Sequence, residues 1–412
     1  MKKTLLAVAA LSSVAGIAQA DVTLYGVLDA AIGTASHQYN LDPSYSQSVN
    51  IVTPTKAPNT VTGLLNGGIQ NSRWGITGSE DLGDGRKAFF TLESGVNLPS
   101  GSLSNHAQAV IDSNNGTLNN ATGSSVNGQL FGRQSFVGLS DATLGSLQFG
   151  RSYAPIYDIL TTYDPVQFAV LFSPLAFSST YGGGGGVAEN VRQDNSVKYT
   201  NRIGDVKIGA LYKLGNQSGS TSAQSAYAFR LGYETEPFGI QAAYQAYTDA
   251  ISGAASATPG AIAVTESNTK AILLTAKYKF TSDLTGKAGY ERFTLSAPSN
   301  SYTLATYSTY SGYPVSSISL VTAERSTEIY FAGGDYNLTS ALNLAVGYYS
   351  LNFDAYGSTA SGNVNLASAL LDYHLSKRSD VYAGYINSTP GGARYVNYPS
   401  NNLAAVGFRH AF

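Results

Sequence analysis

Apolar residues alternate with polar or small ones in segment after segment, the period-two signature of strands whose two faces meet different surroundings. In residues 239–247, Ile240, Ala242, Tyr244 and Ala246 share one face, opposite Gln241, Ala243 and Gln245. In residues 271–280, Ile272, Leu274, Ala276, Tyr278 and Phe280 oppose Leu273, Thr275, Lys277 and Lys279. In residues 342–349, Leu342, Leu344, Val346 and Tyr348 oppose Asn343, Ala345 and Gly347. Residues 206–212 and 284–291 repeat the pattern, with Lys207, Gly209, Lys287 and Glu291 on the polar face. Tyrosines at strand ends, such as Tyr212, Tyr278, Tyr348 and Tyr349, read as a girdle at a membrane–water interface. No comparable stretch has a helical period.

The connections are of two kinds. Compact turns at 81–85, 141–145, 202–205, 236–239, 281–284, 337–341 and 376–380 supply the Gly, Asp, Asn and Pro that tight hairpins need. Longer stretches rich in Ser, Thr, Asn, Gly and Tyr lie between them, at 35–65, 97–128, 214–224, 250–268, 296–325 and 354–362 among others. Short and long alternate strictly, which yields sixteen strands with both termini on the short-turn side. This is the pattern of an all-β, transmembrane, up-and-down antiparallel barrel with short periplasmic turns and long external loops. Closure gives every backbone N–H and C=O at membrane depth a partner. A string of soluble sandwich domains predicts linkers, irregular turn spacing and many surface charges, and none is seen.

Composition agrees. Only 12% of residues are charged, about half the share of soluble domains, while hydrophobic content is 43%. Lys2-Lys3, the apolar run from Leu5 to Ile17 and Ala18-Gln19-Ala20 form a secretory signal peptide, so residues 21–412 constitute one barrel domain. Without the two leader lysines the mature chain carries a net charge of −4, which leaves no footprint for nucleic acid. The absence of cysteine excludes disulfides and thiolate metal sites. His37, His106, His374 and His410 lie on separate segments without ligand spacing, so neither a metal nor a cofactor is expected. No nucleophile motif supports a hydrolase. The final strand carries Ala404, Val406, Phe408, His410 and Phe412 on one face and ends in Phe. Phe412 and that face are expected to be the signal read by the outer-membrane insertion machinery.

Several segments carry a resemblance. Asp21-Val-Thr-Leu-Tyr-Gly-Val-Leu-Asp29, Ser72-Arg-Trp-Gly-Ile-Thr-Gly-Ser-Glu-Asp-Leu-Gly83, Phe131-Gly-Arg-Gln-Ser-Phe-Val-Gly-Leu139, Phe149-Gly-Arg-Ser-Tyr153, Arg192-Gln-Asp-Asn-Ser-Val-Lys-Tyr199 and Gly407-Phe-Arg-His-Ala-Phe412 resemble, in order, the general porins of betaproteobacterial type. The resemblance implies a 16-stranded homotrimer in contact with outer-membrane lipid and lipopolysaccharide, passing small ions and hydrophilic solutes by passive diffusion. It also implies a third external loop folded into the lumen, facing a basic wall.

Alternation locates that wall. Trp74 and Ile76 mark the lipid face of the second strand, which turns Arg73 inward; Phe136, read as lipid-facing, turns Arg133 and Ser135 inward; Val197 and Tyr199 turn Arg192, Asp194 and Lys198 inward. Arg151, in phase with Leu147 and Phe149, is expected to face outward toward a neighbouring subunit. In the third loop, residues 154–189, Asp164 matches an acidic constriction position of the family and Asp158 is a second loop acid. Phe168 stands where the family has another acid, and Gly182–Gly186 read as a flexible return to the wall. Glu93, Glu291 and Glu328 are expected inward, where they offset the arginines. Arginines facing few carboxylates predict a weak to moderate anion preference. Two rival readings remain: a substrate-selective pore with a binding track in the lumen, and an adhesin acting through its long loops.

Overall fold

The computed structural model describes residues 21–38, 54–101, 103, 130–176, 191–255, 262–299, 309–310 and 313–412. The leader, Gly182–Gly186, His106 and most of 97–128 lie outside the described residues. The strands are β1 (Asp21–Gln38), β2 (Asn59–Asn66), β3 (Arg73–Gly83), β4 (Arg86–Gly95), β5 (Gln134–Asp141), β6 (Gly145–Tyr153), β7 (Arg192–Ile203), β8 (Val206–Lys213), β9 (Ala226–Glu234), β10 (Phe238–Ala255), β11 (Ile262–Lys279), β12 (Leu284–Ser296), β13 (Thr309–Tyr310), β14 (Tyr313–Leu320), β15 (Arg325–Asn337), β16 (Leu342–Phe353), β17 (Gly362–His374), β18 (Ser379–Gly391) and β19 (Asn401–Ala411). An α-helix, α1 (Pro155–Tyr163), follows β6.

These segments form a closed 16-strand antiparallel barrel. β2 and β3 share one barrel position, because β2 pairs with residues 30–38 of β1 and β3 with residues 21–27. β13 and β14 make a small hairpin in a long connection, and β14 lies parallel to the outer part of β11. Closure runs from β1 to β19, where Val27 faces Ala411 and Ala35 faces Leu403. All seven compact turns occur where the sequence places them. The stretch 250–268 is mostly strand, since β10 and β11 continue as a paired ribbon to Ala255 and Ile262.

The outer face is apolar as alternation requires: Ile240, Ile272, Leu274, Tyr278, Val346 and Tyr348 are all exposed. No described helix is long and apolar enough to cross a membrane; the strands do so instead. Several residues have surroundings that differ from expectation. Val137 and Leu139 are exposed, so Phe136 faces inward, where its ring meets Phe89, and Ser135 faces outward. Tyr349 is fully buried inside the barrel and does not belong to the girdle. Glu328 lies on the outer face, bonded by Tyr290 Oη at 2.9 Å and paired with Arg292 at 3.3 Å. Arg151 is covered by its own chain, donating to the Gly132 carbonyl at 2.8 Å and pairing with Asp194. The cause of the last is a register shift between Gly150 and Ser152 opposite Asn195, whose φ is 50°.

Candidate functional site

The chain leaving β6 turns into the lumen. α1 begins with Pro155 at its first turn, where a missing N–H costs nothing, and buries Ile156, Ile159, Leu160 and Tyr163 on one side. Its other side exposes Thr161 and Thr162. α1 and the apolar residues that follow it, Val166, Leu171, Phe172 and Leu175, form one buried cluster with inward residues of the wall, including Leu273, Ile329, Phe331, Leu351, Leu366 and Ile386. Such side chains contribute roughly 1.5–3 kcal/mol each when fully covered. One half of the barrel interior is therefore a protein core.

Polar anchors fix the loop across the lumen. Asp164 is completely buried: Oδ1 accepts the Val166 N–H and the Tyr349 hydroxyl, both at 2.8 Å, and Oδ2 accepts the Ser173 hydroxyl. Burial pushes its carboxyl pKa up, and these donors work against that rise. Lys287 reaches the Asp164 carbonyl at 3.3 Å and pairs with Asp335 at 2.9 Å. Lys198 holds Asp158 at 2.7 Å. Tyr163 accepts from Gln241 at 3.2 Å, beside a network in which Lys207 and Lys277 both bind Glu234 at 2.5 Å.

The far end of the loop is stapled to the break between β2 and β3. The N–H groups of Val170 and Leu171 donate to the carbonyls of Ile69 and Gly68 at 3.1 and 3.0 Å. The N–H groups of Gly68, Ile69 and Gln70 converge in turn on the buried Asp29 carboxylate at 3.0, 3.0 and 2.7 Å. Tyr382 also donates to Asp29. Farther along, the Phe172 ring lies on Gly384, where an added Cβ would sit 2.4 Å from ring carbon Cζ.

Opposite this apolar half lies the basic wall. Arg73, Arg133 and Arg192, with Glu93, line a cavity of about 340 Å³ together with Tyr153, Tyr157, Phe168 and several amides. Arg133 Nε meets Glu93 at 2.8 Å and Arg73 Nε meets it at 3.5 Å, while Tyr25 and Tyr153 donate to the same carboxylate at 3.0 and 3.3 Å. The Arg133 and Arg192 guanidinium carbons lie 5.9 and 5.4 Å from the Tyr153 ring centre, and Tyr153 stacks on Tyr157 at 4.2 Å.

The three arginines are thus brought together. The loop acids do not join them. Asp164 is turned into the loop's own core, and Asp158 faces Lys198, with Arg230 at 3.9 Å. Glu93, not a loop acid, is the arginines' counter-charge. Lys287 and Lys198 face the lumen but act as anchors of the loop. Glu291 is inward yet fully buried, between Leu273 and Ile329 of the neighbouring strands, so it does not line the channel. Asp29 and Tyr382 carry out a role that sequence reasoning missed. Their only signal is an acid and a tyrosine on inward phases of β1 and β18.

A family model for Gram-negative porins matches residues 7–389. An outer membrane porin protein of Bordetella pertussis is 28% identical over 430 residues, covering 100% of both chains. Outer membrane porin protein 32 of Delftia acidovorans is 28% identical over 235 residues, covering 57% of this chain and 55% of its own. Among solved structures, the anion-selective porin from Comamonas acidovorans superposes with a TM-score of 0.68 at 18% identity, covering 96% of this chain and 100% of that one. At that identity the likeness concerns the fold. With the family match spanning almost the whole chain and the barrel in place, the chain belongs to the Gram-negative porin family and is an outer-membrane diffusion porin.

Proposed function

We propose that this porin is a trimeric, water-filled general channel with a weak to moderate anion preference, set at the level where α1 crosses the lumen. The observation that carries the reading is the wall of Arg73, Arg133 and Arg192 around one cavity, with Glu93 as the only acid lining it among the described residues. Three fixed positive charges against one negative raise the local anion concentration in a water-filled passage with low-dielectric walls. Arg73 and Arg133 bond to the wall and not to residues 154–176, so their task differs from the loop-pinning task of Lys198 and Lys287. The anion-selective porin of similar fold adds to this reading.

Three further elements belong to the proposal. The leader is cleaved after Ala20, so that β1 opens the mature chain. Trimer formation, with lipid and lipopolysaccharide around it, follows the family. Phe412 serves as the assembly signal; its N–H donates to Gly26 at 3.0 Å and its carbonyl accepts from Gly26 at 3.2 Å, and its side chain stays 41% exposed on the outer face. Deletion of Phe412 with unchanged membrane assembly counts against that role.

Planar-bilayer recording on the purified protein, with the reversal potential taken across a salt gradient, tests the main claim. Insertion in steps of three conductance units with an anion-favouring reversal potential is the expected result. Cation preference would overturn the arginine-dominated passage while leaving the porin intact.

A further inference from the structure

We propose that the short-turn mouth of the lumen contains a divalent transition-metal site made by Asp372, His374 and Asp380. His374 and Asp380 are direct cross-strand partners on β17 and β18, and Asp372 lies two residues before His374 on the same inward face. One ligand atom from each lies within 4.8 Å of the others. His374 Nδ1 is 2.5 Å from Asp380 Oδ1 and 3.8 Å from Asp372 Oδ2. Tetrahedral zinc bonds of 2.0–2.2 Å place neighbouring ligand atoms roughly 3.3–3.6 Å apart, so the two observed separations bracket the requirement.

The second observation is an unsatisfied ligand. The Asp372 side chain is only 8% exposed, and its Oδ1 has no hydrogen-bond donor. A buried carboxylate oxygen with no donor is costly unless something positive compensates it. The neighbouring groups are already committed. Asp380 Oδ2 is held by Arg409, whose Nε lies at 2.6 Å. Arg409 is also the cross-strand partner of Asp29, which is satisfied by three backbone N–H groups and Tyr382. Arg409 is thus engaged by Asp380, and a divalent ion would give the Asp372 carboxylate the positive partner that its Oδ1 lacks.

The chemistry narrows the ion. One imidazole and two carboxylates suit Zn²⁺, Ni²⁺ or Co²⁺, whereas Mg²⁺ and Ca²⁺ favour oxygen alone. The His374 side chain is 43% exposed, which leaves an open face for entry from the lumen and for water ligands. The spacing of the histidines carries no trace of the site, because its ligands come from two strands joined across a turn.

The test is calorimetric titration of the untagged, detergent-purified protein with ZnCl₂ and separately with MgCl₂. One Zn²⁺ per chain is expected, with affinity at least tenfold weaker in Asp372→Asn and His374→Gln, unchanged in His410→Gln, and with no comparable Mg²⁺ binding. Heat-modifiable gel mobility verifies that each variant is folded. A second readout needs no variant: Zn²⁺ should protect His374, but not His410, from diethylpyrocarbonate, read by mass spectrometry. No zinc binding, zinc binding indifferent to Asp372→Asn and His374→Gln, or equal His374 modification with and without zinc would each overturn the site.

Discussion

The two halves of the barrel interior are built on opposite rules. Along β11 to β19 the inward positions hold Leu273, Ile329, Phe331, Leu351, Leu366, Ile386 and Leu403, buried under α1 and the residues that follow it. Along β3 to β7 the inward positions hold Arg73, Glu93, Arg133 and Arg192 around open space. The same period-two alternation thus produces a dry interior on one side and a charged one on the other. The loop makes the difference, because it supplies apolar cover to one wall only. An inward residue in such a barrel must be read by what lies across from it.

The largest expected effect comes from removing that cover. Phe172→Ala should weaken loop seating by about 3–5 kcal/mol, the cost of deleting a buried aromatic. It should be seen as new protease cleavage within residues 154–176 and a rise in single-channel conductance; unchanged conductance would break the comparison. Asp164→Ala should cost roughly 2–3 kcal/mol locally, because it strands the buried donors of Ser173 and Tyr349, and it should appear as a noisy open channel. Lys198→Gln should cost only about 1 kcal/mol, since one ion pair to a partly exposed Asp158 is lost among many anchors. A small increase in current noise checks it.

Two substitutions on the charged side should act on selectivity with little effect on loop seating. Arg133→Gln is expected to move the reversal potential toward cations, with a permeability ratio shifted by about twofold. Glu93→Gln is expected to move it by a similar factor the other way. Shifts of the same sign would show that Glu93 is merely a support for the arginines.

Much of the barrel was legible because lipid imposes one uniform demand: outward side chains must be apolar wherever the strand crosses. Ile240, Leu274 and Val346 obey it, and seven turn sequences mark the reversals. Phe136 and Tyr349 are the complementary case, buried inside the barrel where the sequence points to lipid and to the girdle. An aromatic residue signals burial, but not whether lipid or the loop buries it. Arg73 lines the cavity in the phase that Trp74 and Ile76 set for β3, and Arg133 lines it although Phe136 faces inward. Asp164 resembles a constriction acid by spacing along the chain. Its actual partners, Tyr349 and Ser173, are set by the path of the loop, which no local periodicity encodes. Asp29 was hidden likewise, since its partners are backbone N–H groups at a strand break.

The staple at the break between β2 and β3 has a consequence for the order of events during biogenesis. Residues 170–172 need Gly68 and Ile69 from the start of the chain and Gly384 from near its end. Asp29, which orders the first of these, takes a hydrogen bond from Tyr382 on β18. The seat of residues 170–172 therefore cannot be finished until the chain's final strands have been delivered. A barrel that stalls late in insertion would hold its inner loop unfastened at that end.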